Sequence, residues 1–485
     1  MPKSLRFLFF ICLLSLSSIL WGQDSLFNHV NKFELKEWYR QVTEQAKEAH
    51  KGDAQIIVKP GMIINKKERT LTFLAVATGL KTGDPAEFWV VNETGRDYES
   101  LAVTLCTAED IRQGILDLGM PIGRPVDSSK GYFRAKGERM AMTFTWPVVD
   151  LAGTPPDPAT IPATVRAENL IYDHRHDRLL PPSGLIFTGS YYFDYDGANG
   201  KERTLAAESG GAIASTYNDT GTLLDVPFTA EQGAVYGQLV PSKEHQLAVG
   251  TRLLVTLRPQ LPAGETRVRN LNVSVGIKAD SLPPLGAADL CFSASLIKPA
   301  GEVEQVLDCA DFGKFLEACL EILKSDKDPY IALSYSDDLP LGPLRELSQL
   351  LDEIISKDVL VIEPGPDMLY HQAFNPLPKW WTRTHRILQP VEIHLEGEKP
   401  VLVELREEEQ GDGSTIHIEP TILDSGADSL PAMLKNRGEK WFTNTLFIYA
   451  RAEQTYGEIS PYAKALKEKL PIIYLMVGKP PKTTD

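Results

Sequence analysis

Cysteine is scarce: 5 in 485 residues, and no two stand as C-x-x-C. That excludes zinc ribbons, thioredoxin-type redox pairs and iron–sulfur patterns. Positive charge is short as well. Lys and Arg number 50 against 65 Asp and Glu, for a net charge of −15. Nothing would offset repulsion from a phosphate backbone or an anionic membrane, so neither is an expected partner. The phosphate-cradling patterns G-x-x-x-x-G-K-[ST] and G-x-G-x-x-G do not occur, nor does the nucleophile elbow G-x-S-x-G. Past residue 22 no apolar run approaches the length of a membrane span.

What is present is ordinary for a globular chain: 43% apolar and 24% charged residues. The length predicts about three domains. Residues 1–22 read as a secretory signal. Lys3 and Arg6 form the positive region, Phe7 to Leu16 the apolar core, and Gly22 the small residue at the end. An uncleaved anchor helix is the alternative. The expected address is periplasmic or otherwise exported, where disulfides are permitted. Four cysteines follow: Cys106, Cys291, Cys309 and Cys319. The last two either bridge or are two buried faces of one helix.

Residues 23–53 form an amphipathic segment, with Leu26, Val30, Phe33, Leu35, Trp38, Val42 and Ala46 at helical spacing. From 54 the pattern changes to short strands, which continue to about 258. One helix interrupts them, with Ala108, Ile111, Ile115 and Leu118 on one face and Gly119 as its stop. Four prolines between 153 and 164 predict an extended surface loop. After 270, strands and helices alternate twice, over 270–365 and 386–479. Aligning Gly342 with Gly457 sets Asp338 on Glu453, Leu341 on Tyr456 and Leu344 on Ile459. Each copy reads as strand, acidic turn, then Gly at the start of a helix, one β-α-β unit used twice. The predicted fold class is therefore α+β and multidomain: a strand-rich N-terminal block followed by two small α/β modules.

The strings AEFWVVNETGRDYESLAVT (86–104), DIRQGILDLG (110–119), GLIFTGSYYF (184–193), AAESGGAIAS (206–215) and TLLDVPF (222–228) resemble the YdjY family. The resemblance covers 54–258 and implies an exported envelope protein. Some relatives are described as ferredoxin-like, but without clustered cysteines that chemistry does not carry over. KPVLVELREEEQGDGSTIHIEP (399–420) and LFIYARAEQTYGEISPYAKALKEKLPIIYLMV (446–477) are similar to the periplasmic domain of ExbD and TolR, with 332–355 a weaker match. In that family a membrane helix precedes the domain. None precedes either copy here, so motor coupling is not implied. What carries over is a module that dimerises and touches envelope components.

Several constellations stand out. Glu99 and Ser100 put a carboxylate beside a hydroxyl, which can bind a polar ligand or cap neighbouring backbone. Thr188, Gly189 and Ser190 mark a bulge or a close backbone approach. Trp380 and Trp381, beside Arg383 and His385, can stack on a sugar or peptide, or pack into a domain seam. His174 and His176 form an H-x-H that lacks a third spaced ligand, so they are weak metal candidates. No nucleophile, base and metal set is visible, so no catalytic residue and no cofactor is expected. The overall expectation is a non-catalytic binding or scaffolding protein of the envelope, with envelope proteins or peptidoglycan as partners and a dimer through the ExbD-like modules. The alternatives are an enzyme or redox accessory using Glu99, Ser100, His174 and Ser190, or an accessory to an energy-transducing complex.

Overall fold

The computed structural model describes residues 25–127, 130–197, 200–325, 327–355, 361–363, 369–371, 391–410, 413–431 and 445–478. Residues 1–22, read from sequence as a signal, and Trp380 and Trp381 lie outside them. Among the described residues no helix is long and apolar enough to cross a membrane. The structure is mixed α+β with several sheets.

The chain divides into two units, residues 1–125 with 135–264, and residues 126–134 with 265–485. In the first unit, helix α1 (Lys32–Ala49) precedes the main sheet. Asn31 caps it by accepting the amides of Phe33 and Glu34. Eight of the sheet's eleven strands form a ring: β1 (Thr70–Ala77), β2 (Phe88–Asn92), β3 (Ser100–Thr104), β4 (Arg139–Trp146), β5 (Leu185–Phe187), β6 (Ala212–Ser215), β7 (Leu224–Asp225) and β8 (Arg252–Pro259). Between β3 and β4 lies helix α2 (Ala108–Asp117), capped by Thr107.

The strands join in the order β1-β8-β4-β5-β7-β6-β2-β3, and β3 pairs back on β1. The sheet is thus a closed eight-stranded barrel. Closure leaves no edge among these strands and gives each a face turned inward. Helices packed outside bury the other face of some strands. Every residue of β2, β3 and β6 is buried, which is why those strands read as apolar runs rather than alternations. Leu35, Trp38, Tyr39, Val42 and Ala46 of α1 belong to the same core as the barrel strands.

In the second unit the first sheet contains β9 (Val268–Ile277), β10 (Leu290–Ile297), β11 (Val303–Cys309), β12 (Asp328–Tyr335) and β13 (Val361–Glu363). Its order is β11-β10-β9-β12-β13. β9, β10 and β11 run antiparallel, while β12 and β13 run parallel to β9. Helix α3 (Phe312–Lys324) precedes β12 and helix α4 (Leu341–Ile355) follows it.

The second sheet contains β14 (Val391–His394), β15 (Val401–Gln410), β16 (Gly413–Ile422), β17 (Thr445–Ala450) and β18 (Ile472–Val477), with helix α5 (Tyr456–Leu466) between the last two. Its order is β16-β15-β14-β17-β18, with Leu369–His371 added beyond β18. The directions match those of the first sheet strand for strand.

The turns after β12 and β17 exchange backbone bonds. Leu341 N donates to Gln454 O at 3.0 Å, and Tyr456 N to Leu339 O at 2.8 Å. Gly342 N donates to Ala452 O at 2.9 Å, and Gly457 N to Asp337 O at 2.7 Å. Each bond is the mate of another under the alignment of Gly342 with Gly457. Pro340 and Thr455, also mates, form an isolated bridge. The two modules therefore meet about a local pseudo-two-fold axis.

Candidate functional site

The densest grouping of buried chemistry lies where β2 and β3 begin. These strands are adjacent and parallel, with Phe88 paired to Ser100. Glu87 immediately precedes Phe88, and Glu99 immediately precedes Ser100. Parallel register therefore brings two carboxyl groups side by side. A backbone bond from Glu87 N to Glu99 O, 2.8 Å, fixes the junction. The intervening turn is held by Asn92, whose Oδ1 accepts Thr94 N at 2.9 Å.

That turn delivers Arg96 onto both acids. Its Nη1 lies 2.5 Å from Glu87 Oε2 and 2.9 Å from Glu99 Oε2. Nη2 donates to Tyr217 Oη at 3.0 Å, and the guanidinium lies 4.8 Å over the Phe88 ring. Gln232 Nε2 donates to both Glu87 oxygens, at 2.8 and 3.0 Å. Tyr236 Oη donates to Glu99 Oε1 at 3.2 Å. Glu87 and Glu99 are 3% and 5% exposed, but Tyr236 is 52% exposed, so the group is buried at its base and open at one rim.

Two carboxylates so close cannot both ionise cheaply. Burial pushes the Glu99 carboxyl up to about 7, and the charge of Glu87 adds to the shift, while Arg96 opposes it. Glu99 is therefore the member of the pair that keeps its proton up to about 7. Tyr217 is raised mainly by burial. Asp219 and Asp225 lie in the same unit and are raised by burial too, Asp225 well above the ordinary range. The Oδ2 of Asp225 has no hydrogen-bond partner. Around Arg96, therefore, the site offers a proton donor in Glu99.

Of the residues singled out by sequence, Glu99 belongs to this group. Ser100 Oγ donates to Arg96 O at 2.6 Å, the backbone-capping role that positions the arginine. Thr188 Oγ1 donates to Thr222 O and Ser190 Oγ to Gly221 O, each at 2.6 Å. Gly189 has φ of 74° and Ser190 of 56°, so two consecutive left-handed residues turn the chain out of β5. His174 and His176 sit in the turn after strand Ile171–Asp173, and His176 Nδ1 lies 2.8 Å from Asp173 Oδ2. Neither Ser190 nor His174 bonds to Glu99. Among the described residues, no three His, Cys, Asp or Glu side chains are placed to hold a metal.

Sequence reasoning missed Glu87, Arg96, Tyr217, Gln232 and Tyr236. One signal was available: Glu87 and Glu99 each stand directly before a short strand with an apolar centre, WVV and LAV, and such a charge sits at a buried strand entrance.

No family model and no curated protein matches the chain. Among solved structures it is similar to a Bacteroides thetaiotaomicron protein described as having an actin-like ATPase fold and unknown function. The identity is 13%, the match covers 42% of this chain and 90% of that one, and the TM-score is 0.14. A likeness that slight bears on neither fold nor function.

Proposed function

We propose that the chain is an exported cell-envelope protein of binding or scaffolding type, with its ligand-facing chemistry at the Glu87–Glu99–Arg96 group. The observation that carries this is the carboxyl pair opening on a rim through Tyr236. A protonated Glu99 donates, with the Glu87 carboxyl group beside it, which suits hydroxyl- or amide-rich wall polymers. On this reading the first unit is YdjY-like, and the two modules of the second are ExbD-like and support a dimer. The test is co-sedimentation of purified residues 23–485 with isolated peptidoglycan. The protein is expected in the pellet; its staying in the supernatant at every pH would end the wall-binding reading.

One observation favours a second reading. A carboxylic acid near 7 beside a second carboxyl group is also an arrangement used for general acid–base work. An enzyme would release soluble fragments from the wall, and Glu99→Gln would abolish the release.

A further inference from the structure

The two left-handed residues Gly189 and Ser190 send the chain into a hairpin outside the barrel, formed by strands Tyr192–Gly197 and Gly200–Leu205. Its root is fixed. Ser190 Oγ accepts Ala207 N at 3.1 Å, and Ala206 N donates to Tyr191 O at 2.8 Å. One face is pinned to α2. Tyr192 is clasped between Arg112 and Arg203, whose guanidinium carbons lie 5.2 and 4.8 Å from its ring. Tyr192 Oη also donates to Glu109 Oε2 at 2.7 Å.

Strand alternation puts Tyr191, Phe193 and Tyr195 on the other face. Their rings form a row, with centroids 6.3 and 6.2 Å apart. Tyr191 and Tyr195 are 45% and 43% exposed. Across the hairpin on that face stand Thr204, opposite Phe193, and Glu202, opposite Tyr195. Tyr195 Oη donates to Glu202 Oε2 at 2.7 Å.

We propose that this row is a stacking platform for a neutral chain of pyranose sugars. Successive pyranose rings present flat C–H faces, which lie on successive aromatic rings, and hydroxyl edges, which meet Glu202 and Thr204. Charge decides against anionic stacking ligands. The flanking carboxylate and a chain at −15 repel nucleic acid and anionic polysaccharide. A fixed root means that little ordering is lost on binding. The inference deepens the envelope-binding reading by naming a ligand class, but it stands on the hairpin and not on the carboxyl pair.

The test is titration calorimetry of residues 23–485 with chitohexaose, with a proline-rich peptide run alongside. Measurable binding of the hexasaccharide below about 1 mM is expected. Tyr191→Ala and Tyr195→Ala, each checked for an unchanged thermal midpoint, should each weaken it by about tenfold. No binding of chitohexaose would overturn the proposal. So would affinity unchanged in both variants, or binding of the proline-rich peptide in its place. A soluble saccharide reports on the hairpin without any wall, so this result and the pelleting result fail independently.

Discussion

At the residue scale, Glu99 makes the sharpest statement. A carboxylic acid raised on folding holds its proton more tightly in the native state than in the unfolded chain. Stability from that proton is complete below the unfolded value of 4.5 and is lost as pH climbs through about 7. Glu99→Gln keeps the shape and stays neutral. Thermal midpoints of variant and wild type should agree near pH 5, and the variant should be higher near pH 8. Parallel curves would show that Glu99 titrates normally. The thiols give a second prediction. Cys106, Cys309 and Cys319 are buried, and burial pushes Cys106 and Cys319 up to about 12. Alkylation of the native protein should reach half-buried Cys291 first, the other three only on unfolding. Sequence placed Cys309 and Cys319 either in a bridge or on one helix. They sit on β11 and α3, because the strand ends just before the helix cap at Asp311. Glu99 was visible as an acid beside a hydroxyl. Its partner Glu87 was not, since only strand pairing brings residues twelve apart together.

Elements were more legible. The helical spacing in residues 25–50 located α1, and Gly119 does stand just past the end of α2 with a left-handed φ of 79°. Phe33 was expected on the apolar face but is 78% exposed. It lies in the capped first turn, where its amide donates to Asn31 Oδ1 at 3.0 Å. Tyr39, polar at one end, was passed over, yet its Oη donates to Leu74 O at 2.5 Å and accepts Leu105 N at 3.2 Å. Tyr39→Phe should cost about 1–3 kcal/mol in chemical denaturation, because it strips partners from buried backbone. The exchanged turns of the second unit predict an asymmetry that the repeat alone does not. A Cβ at Gly457 would lie 2.8 Å from Asp337 O, whereas at Gly342 nothing is nearer than 3.5 Å. Gly457→Ala should destabilise by about 1–3 kcal/mol and Gly342→Ala by far less. Equal effects would contradict the pairing.

At the scale of the whole molecule, the strand-rich character of residues 54–258 could be read from alternation and turns, but closure could not. It depends on β3 pairing with β1 and on parallel β2–β3 and β6–β7 contacts, which no local pattern encodes. The repeat could be aligned from two glycines, and the backbone bonds follow that same alignment. Residues 126–134 group with residues 265–485 in the second unit. That short segment carries Phe133, which packs on Phe447, Tyr449, Ile472, Tyr474 and Met476, a contact across some three hundred residues of chain.

The Glu87–Glu99 pair is proposed to face the ligand through the Glu99 proton. The direct measurement is peptidoglycan pelleting of residues 23–485 between about pH 5 and about pH 8, with Glu99→Gln beside the wild type. The wild-type bound fraction should fall with a midpoint near 7 as the donor is lost, and the variant should bind equally across the range. A flat wild-type curve, or a variant that falls with it, would contradict the claim.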